Sequence, residues 1–268
     1  ANATENASGA DNQQGSLRDP STTVRQASTV SWMVRQSELP GDRKPLGGVS
    51  ARRGKGDMAH SREIEEYKQT LKLSRTQREV LVGLLLGDGH LETQNGGRTY
   101  RLKVEQSGQH QAYVRHLYEL FRAWVLTPPQ PQKDGKWWFQ TVSHGAFRFY
   151  AQQFYHEGRK AVPEIIHRLL KPRGLAYWFM DDGSIKDAHS RAVVLNTQGF
   201  SREDVERLAQ VLSETFALEA YLRRQREGYQ VVIAGRSLQR FLELVEPYLI
   251  PEMRYKLPRA GRTELPKR

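Results

Sequence analysis

The chain has 268 residues, 41 Lys and Arg against 30 Asp and Glu, a net charge of +11 and no cysteine. With 38% hydrophobic residues and five Trp it is no wholly disordered or collagen-like chain, and its length suits one large domain or two small ones on a shared core. The lack of Cys excludes disulfides, thiolate zinc sites and a thiol nucleophile; no apolar run reaches the about 18 residues of a membrane span, so no membrane partner is expected, and the basic balance points to a polyanion.

Residues 1–57 are rich in Ala, Ser, Asn, Gly, Gln and Arg, carry a charge of +2 and lack a helical or strand period, so they read as an extended basic and polar arm. Met58 is taken as the first residue of the core. Ser74-Arg75-Thr76-Gln77 has the form of a capping box and opens an apolar helix ending at Gly87-Asp88-Gly89. A strand is expected over 98–106, where Tyr100, Leu102 and Val104 alternate with Thr99, Arg101, Lys103 and Glu105. Tyr113, Leu117, Leu120, Phe121 and Trp124 predict an amphipathic helix from His110 to Val125, ended by Pro128, Pro129 and Pro131. A turn at Asp134-Gly135 leads into a strand over 137–142, and a helix over 146–154 follows. Trp137 and Trp138 are read as core residues, with base stacking as the alternative.

The order then repeats. Pro172 suits the first turn of a helix ending at Asp181-Asp182-Gly183. A strand over 192–197, a helix over 202–216 capped by Ser201, a hairpin turning at Glu227-Gly228 and a helix over 237–245 complete it. Residues 58–256 carry +6 and the tail after Lys256 carries +3, so the core itself is basic.

Two segments share one form: Leu81-Val82-Gly83-Leu84-Leu85-Leu86-Gly87-Asp88-Gly89 and Leu175-Ala176-Tyr177-Trp178-Phe179-Met180-Asp181-Asp182-Gly183. A nearly all-apolar helix is buried all round. An Asp at its C-terminus is opposed by the helix dipole, and the Gly beyond it suits a left-handed stop. Two such helices side by side would bring two carboxylates together, which needs a compensating cation.

These segments resemble the motifs of the LAGLIDADG homing endonuclease family in its single-chain, two-motif, organelle intron-encoded form. The likeness runs from about Leu73 to Leu257, through the strand ending at Gln106 and the closing Pro251-Glu252-Met253-Arg254-Tyr255-Lys256-Leu257. The first motif departs from the family's name at several letters but keeps its final Gly-Asp-Gly. The resemblance implies an α+β fold of two pseudo-symmetric αββαββα halves, over 58–165 and 166–257, with a basic tail over 258–268. The two motif helices would pack together, and each half would present an antiparallel sheet to nucleic acid.

It also implies that Asp88 and Asp182 bind Mg²⁺, with backbone carbonyls of Gly87 and Asp181 as further ligands, in a metal-dependent double-strand cut of DNA. Gln106 and Gln198 would position water, and Arg236 and His144 would stand near the scissile phosphates. Thr99, Arg101, Lys103, Glu105, Lys133, Lys136, Arg223, Arg224 and Arg226 would form the nucleic-acid face. The alternative is a non-cleaving derivative that binds RNA without metal, as an intron splicing maturase or a structural protein on organelle ribosomal RNA. Either reading expects a monomer in a mitochondrion or chloroplast, on duplex DNA or on structured RNA, in the latter case as part of a larger ribonucleoprotein.

Overall fold

The computed structural model describes residues 55–186 and 191–257. Of the expected arm only 55–57 are among them, and the expected tail over 258–268 lies outside the described residues. Residues 55–57 are not extended: they open a helix, α1 (Lys55–Thr70). Its sequence has no broad apolar stripe, which is why no period announces it. What supports it is local charge pairing, Arg62 with Glu66 at 2.9 Å and Lys68 with Glu65 at 2.6 Å. Its far end is tied to the core by the Tyr67 hydroxyl, which donates to the Ala123 carbonyl at 2.6 Å.

The first half runs α2 (Arg75–Leu86), β1 (His90–Glu92), β2 (Arg101–Gln106), α3 (Gln111–Leu120), β3 (Gln130–Pro131), β4 (Trp137–Gln140) and α4 (Arg148–Phe154). A hairpin, β5 (Tyr155–His156) and β6 (Arg159–Lys160), and a short helix, α5 (Ile166–Leu169), lead to the second half. That half runs α6 (Pro172–Asp182), β7 (Gly183–Ile185), β8 (Val193–Leu195), α7 (Arg202–Phe216), β9 (Ala220–Gln225), β10 (Gly228–Ile233) and α8 (Leu238–Val245). A 3₁₀ helix over Pro251–Lys256 follows. The two four-stranded sheets have the same antiparallel order, β1-β2-β4-β3 and β7-β8-β10-β9. The fold is α+β, with the αββαββα order used twice.

The expected capping box is present at α2: Ser74 Oγ accepts from the Gln77 N–H at 3.1 Å, and Gln77 Oε1 accepts from the Ser74 N–H at 2.9 Å. Pro172 occupies the first turn of α6, and Ser201 Oγ caps α7 through the Asp204 N–H at 3.1 Å. Val80 to Leu86 on α2 and Gly174 to Met180 on α6 are buried without a break, as an all-apolar helix requires. The two helices meet backbone to backbone at Gly83 and Gly174. A Cβ at Gly174 would lie 2.9 Å from the Glu79 carbonyl oxygen, and one at Gly83 would press into the Gly174 carbonyl. Around this pair one hydrophobic core joins both halves, from Trp124 and Phe139 in the first to Phe216 and Phe241 in the second.

Several local expectations are corrected. None of Gly87, Gly89 and Gly183 takes a positive φ; Gly87 (φ −101) and Gly183 (φ −80) close α2 and α6. Their small size serves packing instead, since a Cβ at Gly87 would meet Asp181 Cβ at 2.6 Å and one at Gly89 would meet Leu84 Cβ at 2.8 Å. The expected helix from His110 to Val125 ends at Leu120 and continues as a 3₁₀ turn over Arg122–Trp124. The strand expected from residue 98 begins at Arg101, because Asn95 holds the Thr99 N–H and side chain in a preceding turn at 3.0 and 2.8 Å. The second hairpin turns one residue early, and Gly228 (φ +143) already belongs to β10.

Candidate active site and nucleic-acid face

Asp182 closes α6 and Asp88 follows the Gly87 cap of α2, each within two residues of the first strand of its sheet. The shared helix packing brings these ends together. The Asp88 N–H donates to Asp181 Oδ2 at 3.2 Å across the pair. Asp88 is exposed, whereas Asp181 and Asp182 are half-buried. Burial first, and then the Asp88 charge, push the Asp181 carboxyl up to about 8. Burial first, and then the charges of Asp88 and Asp181, hold the Asp182 carboxyl well above the usual carboxylate range.

Two lysines answer this negative charge. Lys160 Nζ donates to the Gly87 carbonyl at 2.6 Å, at the C-terminus of α2. Lys256 Nζ donates to the Asp181 carbonyl at 2.9 Å and to the Met180 carbonyl, at the C-terminus of α6. Each ammonium therefore sits on the negative pole of one helix, where a cation is stabilising. Burial lowers both lysine pKa values, and the three carboxylates oppose that shift. The hairpin β5–β6 delivers Lys160 through a tight turn in which Glu157 (φ 49) and Gly158 (φ 78) are both left-handed. The 3₁₀ helix Pro251–Lys256 delivers Lys256. Neither lysine was singled out from the sequence as a site residue. The Glu157-Gly158 pair was the one local signal for Lys160.

Gln106, at the buried end of β2, donates from Nε2 to Asp88 Oδ2 at 2.9 Å and to Asp181 Oδ1 at 3.4 Å. Gln198 is half-buried, and among the described residues its side chain has no hydrogen-bond partner. Arg236 is exposed and paired with Glu219. His144 Nδ1 accepts from the Ala146 N–H at 3.0 Å, capping a turn, and its ring meets Trp124 edge-on at 5.2 Å. Neither Arg236 nor His144 touches the acids among the described contacts.

The donor set suits a divalent cation: Asp88 and Asp182 offer hard carboxylate oxygens, and a bound cation would offset the burial and mutual repulsion that hold the Asp181 and Asp182 carboxyls above their usual range. Both backbone carbonyls expected as ligands are already held by lysines, so Asp88 and Asp182 remain the fitting ligands. Among the described residues no three acidic or imidazole groups converge as a cage.

The outer face of each sheet differs. On the first, Arg101 holds Glu92 through two bonds at 3.1 and 2.9 Å, and Lys136 reaches Glu105 at 3.0 Å. Lys103 lies 5.9 Å over the Trp138 ring, while Trp137 turns to the core. The two tryptophans therefore part company: adjacent strand residues face opposite ways. Lys133 is exposed in the β3–β4 turn. On the second sheet, Arg223 donates to Gln230 Oε1 at 2.7 Å, and Gln230 Nε2 donates to Asn196 Oδ1 at 2.7 Å. Beside them lies a small separate apolar cluster of Ala192, Val194 and Val232. Arg224 is exposed but lies on the opposite face from Arg223, and Arg226 is exposed in the turn.

A profile of the LAGLIDADG DNA endonuclease family matches residues 78–241, which contain both acid-ended motifs and both sheets. The chain belongs to this family. A relative, the probable intron-encoded endonuclease 1 of Wickerhamomyces canadensis, is 33% identical over 212 residues, spanning 74% of this chain and 91% of its own length. The structure of the homing endonuclease I-WcaI bound to its DNA recognition sequence superposes with a TM-score of 0.67 at 32% identity, covering 72% of this chain and 91% of that one. The cytochrome b mRNA maturase bI2 of Debaryomyces hansenii is 26% identical over 200 residues, covering 69% of this chain and 74% of its own length.

Proposed function

We propose that this LAGLIDADG protein is a site-specific DNA endonuclease that hydrolyses one phosphodiester in each strand of a duplex. The observation that carries it is the cluster at the paired helix ends, where Asp88 and Asp182 stand beside the first strand of each sheet with Lys160 and Lys256 at hand. Asp88 and Asp182 would each hold a divalent ion, Mg²⁺ being the choice. With so few carboxylates converging, most of the ion's sphere falls to water and phosphate oxygen, which Mg²⁺ favours. A bound ion supplies charge stabilisation at the phosphate and lowers the pKa of bound water. Lys160 and Lys256 place fixed positive charge at the same point, which favours the extra negative charge developing on the phosphate. Gln106 orients water beside Asp88; Gln198, Arg236 and His144 act at most indirectly from where they stand.

The open faces of the sheets carry the DNA contacts, through Arg101, Lys103, Glu105 and Lys136 on one and Arg223 on the other, with Lys133 and Arg226 reaching phosphates from turns. Arg224, facing away, and Thr99, bound to Asn95, are the weaker members of that set. The chain acts as a monomer with internal twofold symmetry, in a mitochondrion or chloroplast. The test is a randomised duplex library incubated with Mg²⁺: the reading expects one family of sites cut on both strands, with the double-strand cut lost and one strand left uncut in each of Asp88→Asn and Asp182→Asn. A second reading, RNA binding without cleavage, is favoured by the maturase relative. It takes over if no duplex is cut under any divalent metal while structured intron RNA is bound tightly.

A further inference from the structure

Gln106 does not stand alone at the first-half acid. Its Oε1 lies 3.4 Å from His110 Nδ1, and His110 Nε2 lies 2.9 Å from the Tyr255 hydroxyl. The hydrogen-bond directions along this row follow from valence. Asp88 and Asp181 offer Gln106 acceptor oxygens at 2.9 and 3.4 Å, so its Nε2 must face them and its Oε1 must face His110. A carbonyl oxygen only accepts, so His110 must carry its proton on Nδ1. In a neutral ring Nε2 is then the acceptor, and the Tyr255 hydroxyl donates to it. Burial and the nearby Lys256 charge hold the His110 pKa below its ordinary value, which keeps the ring neutral near pH 7.

We infer that His110 and Tyr255 are positioning residues that lock the Gln106 amide with its N–H₂ toward Asp88. Without them the amide is free to rotate by half a turn and set its oxygen against the Asp88 carboxylate. The device is one-sided. Gln198, the residue expected to match Gln106 in the second half, has no such support among the described residues. It also crosses between the halves: Tyr255 comes from the 3₁₀ helix Pro251–Lys256, whose next residue holds the end of α6. The half-reaction at Asp88 therefore depends on His110, whereas that at Asp182 does not.

This inference rests on the nuclease reading for its effect on rate, but not for its effect on the imidazole. The experiment has two arms. In the first, the full chain labelled with ¹⁵N-histidine is read by long-range ¹H–¹⁵N correlation at pH 7.5, His110 being assigned by its loss in His110→Asn. The expected result is the Nδ1–H tautomer, shifting toward Nε2–H in Tyr255→Phe; an Nε2–H tautomer in the unaltered protein overturns the proposal whether or not the chain cuts DNA. In the second, a supercoiled plasmid carrying a site selected from the duplex library is cut with Mg²⁺, and each strand is followed separately. His110→Ala is expected to slow one strand by about 10- to 100-fold, so that nicked circle accumulates, with DNA affinity unchanged. His110→Asn, whose Nδ2–H₂ replaces the Nδ1–H donor, is expected to recover most of that rate. Equal slowing of both strands, or His110→Asn as slow as His110→Ala, overturns it.

Discussion

Glu92 shows how much the first sheet's outer face is organised before any ligand arrives. The hydrogen bond from His90 is the largest influence on its carboxyl, and with Arg101 and Lys103 it holds the pKa down to about 2 against partial burial. A carboxyl with a depressed folded pKa stabilises the protein above its unfolded value of about 4.5 and loses that contribution as pH falls toward 2. Glu92→Gln is therefore expected to lower the thermal midpoint at pH 7 and to narrow the gap from wild type between about pH 4.5 and 2, followed by circular dichroism. Because the side chain is 31% exposed, the contribution is screened and stays at or below about 1 kcal/mol. Asp182 presents the opposite case: burial first, and then the charges of Asp88 and Asp181, raise its folded carboxyl above the unfolded value, so it costs stability at any pH above that unfolded value. Asp182→Asn is expected to raise the metal-free midpoint by about 2–4 °C while abolishing cleavage of one strand, read by calorimetry beside a nicking assay. A midpoint that does not rise would mean that Asp182 is not destabilised by its surroundings in the metal-free protein.

The motif helices depend on the absence of side chains at one crossing. Gly83→Ala would drive a methyl into the Gly174 carbonyl, and backbone there cannot rotate away. Overpacking of about 1–3 kcal/mol is expected, measured by urea unfolding, while Gly145→Ala, with open space around its Cβ position, is the control. These helices were legible because an all-apolar helix ending in Asp-Gly, twice, has few other readings. The β5–β6 hairpin was not, since its two-residue strands carry no period and its lysine looks like any surface lysine. Lys256 lay inside a segment already noticed, but nothing in Pro251–Lys256 shows that a lysine folds back onto the end of α6. α1 escaped notice because charge pairs along one turn leave no apolar stripe. Thr99 was placed on the nucleic-acid face with the alternating polar residues of its strand and Arg224 with the run of neighbouring arginines; the first is held in a turn by Asn95, and strand alternation puts the second on the face opposite Arg223.

Across the whole molecule the excess of cations sets how binding responds to salt. With a net charge of +11, a backbone-dominated interface is expected to lose affinity steeply between about 50 and 200 mM salt, at about 0.9 in the log–log slope per phosphate contact. Lys133→Ala, a turn cation, should flatten that slope by about 1 without changing sequence preference, whereas Arg101→Ala should relax preference at one position. Fluorescence anisotropy across a salt series checks both.

The place of Lys256 and Tyr255 in chain order has a consequence for synthesis. A ribosome makes both acids, both sheets and Lys160 before it makes the turn that holds the end of α6 and reaches His110. Until that turn has emerged, the nascent protein carries two sheets able to meet a duplex but only one of its two ammonium groups. Its Gln106 amide is also still free to turn. Competence to cut thus comes after both sheets in order of synthesis, and a product cut short before Tyr255 would occupy DNA without the complete means to break it.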